Sequence, residues 1–301
     1  MRSEKTAQYT QIAYEVADGI AEITLDRPGR LNAYTEVMVR ELNAAFDATD
    51  SNDDVRVVIV TGRGRAFCAG ADLIDGSDTF DATKEKHIAE RGDVGMIGGV
   101  PRDGGGRVSL RIAASKKPII GAINGPAVGV GATMTLPMDI RLASASARFG
   151  FIFARRGLVP EAASSWFLPR IVGISQAMEW VATGRVFGAA EALAGRLVSR
   201  VVPDNELLST ARALAAEIAT NTSAVSVAFS RQLLWSMLGA ATPWEAHCLD
   251  SQAIFTLGQG ADVAEGVNSF LEKRPPRFPN TVNKDYPDIL PLWPSRPEGM
   301  G

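Results

Sequence analysis

The amino-acid sequence predicts an α/β fold with a helical C-terminal region. Strand-like and helix-like segments alternate over the first two-thirds of the 301 residues, and helical patterns alone follow Pro203 up to about residue 273. Such alternation is typical of a largely parallel sheet covered by helices. We therefore expect a core over residues 1–203, a helical region over residues 204–273 and an extended, proline-rich tail over residues 274–301.

The individual elements are predicted from apolar periodicity and from turn residues. Short apolar runs on either side of Asp18-Gly19 indicate a β-hairpin, because this dipeptide is typical of two-residue turns. The first helix is predicted over residues 32–46, where apolar side chains recur at helical spacing. Further strands are expected at residues 55–60, 119–123, 139–143 and 197–202, and further helices near residue 130 and at 204–220, 223–239, 243–257 and 261–273.

The segment of residues 76–107 is polar and rich in glycine, with a charged stretch around residues 83–91 that indicates a short helix. Loops of this composition often carry function. We expect the segment to be mobile or to contact substrate.

The composition argues against several classes of protein. A formal net charge of -3 gives no positive field for nucleic acid, and two histidines, His87 and His247, exclude a multi-histidine metal site. The two cysteines cannot build a disulfide framework, and the N-terminus lacks an apolar signal segment, so a cytoplasmic location is expected. The uncharged residues 118–138 are interrupted by glycine and proline, which argues against a membrane span.

Two loops rich in small residues each follow a predicted buried strand. The first is GRGRAFCAGADL at residues 62–73, and the second is NGPAVGVGAT at residues 124–133. The second loop lacks the third glycine of a dinucleotide fingerprint, since position 134 is Met134, and no acidic residue follows at the required distance. It instead predicts a helix N-terminus with free N–H groups, which favours developing negative charge.

Together with other motifs, these loops resemble the enoyl-CoA hydratase/isomerase (crotonase) superfamily. The resemblance covers about residues 10–275, and several motifs occur in the family's order. The further matches are ITLDRP at 23–28, LNA at 31–33, KP at 117–118, MDI at 138–140, RFG at 148–150, TGR at 183–185 and GRLV at 195–198. The resemblance implies a ββα superhelix, or spiral, with a helical C-terminal region that builds homotrimers, often paired into hexamers.

The resemblance also implies an oxyanion hole for a thioester carbonyl, with one backbone N–H from each loop. Carried over by position, the donors are Ala71 and Val130. Most relatives have glycine at the second position, so Val130 can serve only with a negative φ, and its side chain narrows the pocket. Such donors stabilise an enolate by about 3–4 kcal/mol each in comparable sites.

The proton-transfer group implied by the resemblance is Glu161. Family hydratases use two glutamates, and the matching positions here hold Thr133 and Phe153, neither of which is a general base. The sequence GLVPEAASS at residues 157–165 is similar to the loop of Δ3,Δ2-enoyl-CoA isomerases, in which a glutamate moves a proton between C2 and C4. One base suffices for this shift, and apolar neighbours should raise the pKa of Glu161.

Three other functions remain open from the sequence. Glu161 could hydrate a 2-enoyl-CoA with an unidentified partner, or the chain could be a non-catalytic acyl-CoA binder. RNA binding is a third alternative, against which the negative net charge argues.

For coenzyme A itself, the resemblance implies two groups of contacts. Phe270 and Lys273 in the last helix resemble residues that reach a neighbouring subunit's nucleotide. The contacts within the same chain are Arg27, Ala69, Gly70, Asp72 and Leu73. Coenzyme A is part of the substrate, so no separate cofactor, metal, membrane or nucleic-acid partner is expected.

Overall fold

The computed structural model describes residues 9–290. Its strands, in chain order, are β1 (Ile12–Ala17), β2 (Ile20–Leu25), β3 (Val57–Gly62), β4 (Met96–Ile97), β5 (Val100–Pro101), β6 (Ile119–Ile123), β7 (Pro126–Val128), β8 (Ile140–Ser144), β9 (Arg148–Gly150), β10 (Val186–Gly188) and β11 (Arg200–Val202). Its α-helices are α1 (Glu36–Ser51), α2 (Glu85–Arg91), α3 (Gly104–Ala113), α4 (Val130–Thr133), α5 (Ser164–Val172), α6 (Ile174–Thr183), α7 (Ala189–Ala194), α8 (Leu207–Asn221), α9 (Ala224–Met237), α10 (Pro243–Leu257), α11 (Ala261–Leu271) and α12 (Val282–Asp285).

Within these residues, six strands form the main sheet in the order β1-β2-β3-β6-β8-β11. β1 and β2 form the predicted antiparallel hairpin, and each later neighbour pairs in parallel, for example Ile20 of β2 opposite Val57 of β3. Asp18 and Gly19 both have positive φ, as a two-residue turn of this kind requires. The parallel sheet confirms the predicted α/β class.

A smaller sheet has the order β10-β9-β7. Successive strands alternate between the two sheets, because β6 and β8 lie in the main sheet while β7 and β9, which follow them, lie in the smaller one. Each turn of the chain therefore adds one strand to each sheet, which is the repeat expected of a ββα spiral.

The main sheet is buried on both faces. α8 covers one face, where its Leu207, Ala211 and Ala215 pack against Val57 and Ile120. The larger core on the other side contains α1 and the aromatic side chains of the small sheet. Strands covered on both faces appear in sequence as continuous apolar runs, which is why β3 and β6 could be predicted.

The first helix begins later than predicted. α1 starts at Glu36 after the cap Thr35, and Leu31 and Asn32 have positive φ. Asn32 is fully buried and donates hydrogen bonds to the carbonyls of Arg63 (3.0 Å) and Ala66 (2.8 Å). Residues 32–35 therefore fasten the turn after β2 to the loop after β3 instead of continuing the helix.

Other expectations also differ from the structure, among them that no helix was predicted over residues 164–194, where α5, α6 and α7 lie. α3 was not predicted, because Gly104-Gly105-Gly106 in its first turn are poor helix formers. The helix near residue 130 is a single turn. α12 interrupts the tail that was expected to be extended, and the rest of that tail from residue 291 lies outside the described residues.

Asp139 and Arg231 fasten the C-terminal end of α3 to α9. Arg231 is buried, pairs with Asp139 at 2.8 Å and donates to the carbonyls of Ile112, Ala113 and Ser115. They lie in the last turn of α3 and just beyond it, where helix carbonyls lack part of their intrahelical donors. The position of α3 therefore depends on a residue from the helical C-terminal region.

None of the helices in residues 9–290 combines the length and the apolar character needed to cross a membrane.

Candidate functional site

An open cavity of about 680 Å³ lies where the loops after β3 and β6 meet. Its wall also includes residues from α2, from the first turn of α3 and from the 152–161 segment. The volume lies within the range of small-molecule sites in proteins. The predicted substrate-contacting segment, residues 76–107, forms one side of the cavity through Thr79, Phe80, Pro101 and other residues.

The two small-residue loops are hydrogen-bonded to each other. The Cys68 N–H donates to the Pro126 carbonyl, and the Val128 N–H donates to the Cys68 carbonyl, both at 3.0 Å. A Cβ on Gly131 would lie 2.0 Å from the Cys68 carbonyl oxygen. Glycine at this position is therefore required for the close approach of the loops.

The N–H groups of Ala71 and Val130 both belong to residues that line the cavity. On either side of Ala71, Gly70 accepts from the Tyr34 N–H at 2.8 Å and Asp72 donates to the Tyr34 carbonyl at 3.0 Å. In a parallel bridge, such as that between Tyr34 and Ala71, the backbone hydrogen bonds are made by the residues on either side of Ala71. The Ala71 N–H itself donates to no backbone carbonyl in residues 9–290.

Val130 is the first residue of α4, where backbone N–H groups have no partner within the helix. Its φ is not positive, whereas the preceding Gly129 has φ +57°. The backbone of Val130 thus satisfies the requirement for a negative φ that the sequence analysis placed on this residue.

Glu161 lies in the same cavity, with its carboxyl group largely buried. Its Oε1 accepts a 2.5 Å hydrogen bond from the Thr133 hydroxyl, while its Oε2 is buried without a donor among the described residues. Burial, with a smaller contribution from the Asp103 carboxyl, raises the pKa of Glu161 to about 8, although the Thr133 hydroxyl acts in the opposite direction. The pKa of Glu161 thus shifts in the predicted direction because the carboxyl is buried, although the partners that act on it are the polar Thr133 and Asp103.

Asp103 is a cavity residue that the sequence did not reveal. It is the N-cap of α3 and accepts a 2.5 Å hydrogen bond from the Gly106 N–H. The first turn of α3 packs closely against Glu161, because a Cβ on Gly105 would lie 1.6 Å from Glu161 Oε2. An aspartate at the start of a helix is a capping signal, but the three glycines after it concealed the helix.

Tyr34 is a second cavity residue without an assigned role in the sequence. Its side chain is buried, and its hydroxyl donates to the Gly104 carbonyl at 3.1 Å. Burial and the nearby Glu161 raise the pKa of Tyr34 well above its ordinary value. Tyr34 is therefore a neutral hydrogen-bond donor that holds the first turn of α3 beside Glu161.

The five coenzyme A contacts predicted within the chain all line this cavity: Arg27, Ala69, Gly70, Asp72 and Leu73. Arg27 donates to the Asp72 carboxylate at 2.9 Å and to the Ala33 carbonyl at 2.5 Å. The Ala69 N–H donates to the Leu31 carbonyl at 3.0 Å, and Leu73 is half exposed. Arg27 thus stands at the cavity wall already paired with a carboxylate.

Phe270 and Lys273 do not line the cavity. Phe270 projects from α11 with 81% of its surface exposed, and Lys273 follows the end of that helix. Their expected contact is with another subunit, so it stays a prediction.

Cationic side chains that were not assigned to substrate also line the cavity, among them Lys86, His87, Arg102 and Arg156. The ring nitrogens of His87 lie 2.8 Å from the Asp81 carbonyl and 3.2 Å from the Asp75 carboxylate. Because both partners are acceptors, they raise the pKa of His87.

Cys68 is fully buried, and burial raises the pKa of its thiol to about 12, which argues against a nucleophilic role.

The arrangement combines the Ala71 and Val130 amides, for which no backbone acceptor is found within residues 9–290, with a buried carboxyl group whose pKa is about 8. Such amides can stabilise negative charge that develops on an oxygen. A carboxyl with a pKa near the working pH can take a proton from carbon and return it. The cavity therefore contains groups that could provide acid–base chemistry and groups that could stabilise an anion.

Comparison with known proteins gives the family. The enoyl-CoA hydratase/isomerase family model matches residues 15–281. The chain is 42% identical to enoyl-CoA hydratase ACTT3 of Alternaria alternata, over 89% of this chain and 86% of that protein. It is 35% identical to 1,2-epoxyphenylacetyl-CoA isomerase of Escherichia coli, over 89% and 97% respectively.

Among solved structures, enoyl-CoA hydratase from Bacillus anthracis superposes with a TM-score of 0.78 at 28% identity, covering 89% of this chain and 99% of that one. The Pseudomonas aeruginosa protein DspI gives a TM-score of 0.79 at 27% identity, covering 92% and 100%. The chain belongs to the enoyl-CoA hydratase/isomerase family, with the crotonase fold, and is an enzyme of the hydratase/isomerase type.

Proposed function

We propose that the protein isomerises a 3-enoyl-CoA to the 2-enoyl-CoA, with Glu161 as the single acid–base group. The observation that carries this proposal is the environment of Glu161, whose buried carboxyl has a pKa of about 8 and accepts a hydrogen bond from Thr133. By resemblance, Thr133 and Phe153 occupy the positions at which family hydratases carry their two glutamates. Phe153 lines the cavity, Thr133 binds Glu161, and neither side chain is titratable.

In the proposed mechanism, the thioester carbonyl oxygen accepts hydrogen bonds from the Ala71 and Val130 N–H groups. The Glu161 carboxylate removes a proton from C2, and the electrons of the C–H bond form a dienolate whose negative charge lies on the thioester oxygen. The protonated Glu161 then delivers a proton to C4, which leaves the double bond between C2 and C3, and exchange of the Glu161 proton with the solvent between the two steps introduces deuterium from D2O. No atom is gained or lost, so one carboxyl suffices.

Coenzyme A would lie at the cavity wall formed by Arg27, residues 69–73 and the cations of α2. The support is chemical complementarity, because Arg27, Lys86 and Arg102 line the cavity and can approach phosphate groups. Substrate phosphate would compete with Asp72 for the Arg27 guanidinium, which at present donates to that carboxylate.

We also propose that the chain forms homotrimers or hexamers through its C-terminal helices. α9, α10 and α11 expose large apolar side chains, including Leu234, Trp244, Ile254, Phe255 and Phe270, each at least 74% exposed. Apolar patches of this kind mark contact surfaces between proteins. Light scattering coupled to size-exclusion chromatography tests the proposal, and a monomer at micromolar concentration contradicts it.

Hydration of a 2-enoyl-CoA is the second candidate. It is favoured by the names of relatives such as ACTT3, an enoyl-CoA hydratase, and by the presence of a second carboxyl, Asp103, in the cavity. Water addition needs one group to activate water and another to protonate carbon.

The deciding experiment incubates the full chain with 3-hexenoyl-CoA or 2-hexenoyl-CoA in D2O and follows products by mass spectrometry. Double-bond migration with deuterium incorporation and no added water is the expected result. A mass gain of one water would identify a hydratase. Neither change, with the ester still bound, would identify a binder or an enzyme for a different acyl group.

The matched control is Glu161→Gln, which keeps the size of the side chain but cannot accept a proton. It should reduce turnover by about 10²–10⁴-fold while leaving affinity for the CoA ester nearly unchanged. Unchanged turnover would remove Glu161 from the mechanism.

A further inference from the structure

Glu161 is the first residue of a tight turn that leads into α5. The Ser164 N–H donates to the Glu161 carbonyl at 3.0 Å, and the two residues between them, Ala162 and Ala163, have φ of +62° and +53°. Positive φ at both central positions defines a type I′ turn, which usually contains glycine, asparagine or aspartate. A Cβ is strained in this left-handed region, so two alanines make the turn unfavourable by itself.

The Ser164 side chain closes this turn. Its hydroxyl donates to the same Glu161 carbonyl at 2.6 Å, so that carbonyl accepts two hydrogen bonds from one residue. Ser164 is buried, so its hydroxyl does not donate to solvent instead. Within residues 9–290 the Glu161 N–H donates to no backbone carbonyl, and the bonds from Ser164 are therefore what fixes the Glu161 backbone.

The Ser164 hydroxyl does not cap α5. The helix begins at Ser164 after Ala163, and no side chain accepts a hydrogen bond from its first turn. A serine at a helix start usually occupies the N-cap position, where its oxygen accepts from an N–H of the first turn. Here the serine lies one position later and donates back to Glu161. Local preferences of this kind are most often broken at functional sites.

The turn also packs against the first turn of α3. A Cβ on Gly105 would lie 3.2 Å from the Ala162 Cβ and 1.6 Å from Glu161 Oε2. On the other oxygen, the Thr133 hydroxyl donates to Glu161 Oε1. The carboxyl thus fits between Thr133 and α3, and opening of the turn would move it away from both.

We propose that Ser164 is a positioning residue for Glu161, and that its two hydrogen bonds hold a strained turn closed so that the carboxyl stays beside Thr133. The inference rests on the proposed function, because this position affects the reaction only if Glu161 moves the proton. Backbone strain persists where the surrounding structure over-determines it, and strained residues cluster at active sites. Without the Ser164 hydroxyl, the turn relaxes and the Glu161 carboxyl withdraws from its place in the cavity.

The kinetic test is Ser164→Ala in the full chain, with 3-hexenoyl-CoA as substrate. A catalytic group displaced by about 1 Å costs up to about 100-fold in rate, so kcat should fall by about 10- to 100-fold. KM should stay within about twofold, since Ser164 does not line the cavity. Ser165→Ala is the matched control, because it removes the neighbouring hydroxyl from an exposed side chain and should keep the parent kcat.

A second substitution separates positioning from packing. Glycine adopts positive φ without the penalty of a Cβ, so Ala163→Gly added to Ser164→Ala should recover most of the lost kcat. A serine that contributed only packing would not be rescued in this way, because the glycine removes a further methyl group. Absence of rescue would overturn the proposal. If Ser164→Ala does not fold, Ser164→Cys gives the same comparison, since a thiol is a weak donor of similar size.

A spectroscopic readout follows the Glu161 carboxyl without turnover. Infrared difference spectra recorded between about pH 5 and pH 10 should contain a carboxyl C=O band that disappears with a midpoint near 8 and is absent in Glu161→Gln. In Ser164→Ala the carboxyl becomes more exposed, so the midpoint should fall by about one unit or more. The Asp103 and Tyr34 side chains, which interact with Glu161 electrostatically, are unchanged in this variant.

The two readouts separate this inference from the proposed function. If 3-hexenoyl-CoA is not isomerised but the infrared midpoint falls in Ser164→Ala and returns with Ala163→Gly, the positioning role is supported and the proposed reaction is rejected. If the parent isomerises the substrate and Ser164→Ala matches Ser165→Ala in both kcat and midpoint, the reaction stands and the positioning role is rejected.

Discussion

Thr133 Oγ1 donates a 2.5 Å hydrogen bond to Oε1 of Glu161. Thr133 is fully buried in the one-turn helix α4, and Glu161 lies 28 residues further along the chain, shortly before α5. By resemblance, position 133 is where hydratases of the family carry a glutamate. In this protein the side chain at that position supports a carboxyl from another segment instead of supplying its own.

Thr133→Val should move the catalytic pH profile upward. The hydroxyl stabilises the ionised form of Glu161, so its removal raises the pKa of that carboxyl above about 8. A hydrogen bond to a charged group contributes about 1.5–3 kcal/mol. Its loss should therefore raise the pKa of Glu161 by about one unit or more and lower kcat/KM at neutral pH about tenfold. The measurement is kcat/KM for 3-hexenoyl-CoA against pH. Thr133→Ser keeps the hydroxyl and should retain the parent midpoint; equal midpoints in all three proteins would contradict the assignment.

Glu161→Gln should stabilise the fold in a pH-dependent manner. The pKa of Glu161 is about 8 in the folded state and 4.5 in the reference state, so the folded protein binds more protons between these values. Stability conferred by the protonated group is therefore complete below about pH 4.5 and decreases as the pH rises to about 8.

Urea unfolding at about pH 5, 7 and 9 measures the difference in the free energy of unfolding between this variant and the parent. The difference should grow by a few kcal/mol from pH 5 to pH 8 and then level off, since one pKa unit corresponds to about 1.4 kcal/mol. A difference that does not vary with pH would show that Glu161 is not buried in the way described.

Gly131→Ala should separate the two small-residue loops. The added Cβ would lie 2.0 Å from the Cys68 carbonyl oxygen, a backbone atom that can move only if the whole loop moves. We expect a loss of about 1–3 kcal/mol in the free energy of unfolding and a lower kcat, because the Val130 amide moves with its loop. Gly239→Ala is the matched control, since its Cβ would have no neighbour closer than 3.9 Å. Comparable stability and kcat in the two variants would refute the close approach.

Arg231→Met and Asp139→Asn should each destabilise the protein strongly. Arg231 is buried among three carbonyls and the Asp139 carboxylate, and Asp139 also accepts from the Trp235 indole N–H at 2.9 Å. Breaking a buried pair from one side costs about 3–5 kcal/mol. In urea unfolding, the double variant should lose less than the sum of the single losses. Additive losses would mean that the two side chains act independently.

Several parts of the site could be predicted because their signals are local. The buried strands β3 and β6 appear as continuous apolar runs, and the glycines after them identify loops where backbone N–H groups are accessible. The departure at Thr133 and Phe153, and the carboxylate at Glu161, could be identified by aligning family motifs. The roles of Ala71, Val130, Glu161 and the coenzyme A contacts stay predictions, although the structure brings all but Phe270 and Lys273 to one cavity.

What the sequence could not determine is which distant side chains surround Glu161. The sequence does not reveal the partners of His87, whose two ring nitrogens are engaged by Asp75 and by the Asp81 carbonyl. Asp103 was overlooked because glycine is intrinsically unfavourable in helices, and tertiary contacts override that preference in α3. Those contacts come from Tyr34 at one end of α3 and from Arg231 at the other.

The sequence by itself determined the α/β class, the family and the positions of the two loops, since these depend on hydrophobic periodicity and on short motifs within single segments. Only the tertiary structure decided that Thr133, Asp103 and Tyr34 meet around one carboxyl. Their meeting depends on the order of β3, β6 and β8 in the sheet and on the packing of α3, and the pKa of Glu161 depends in turn on the resulting burial and charge.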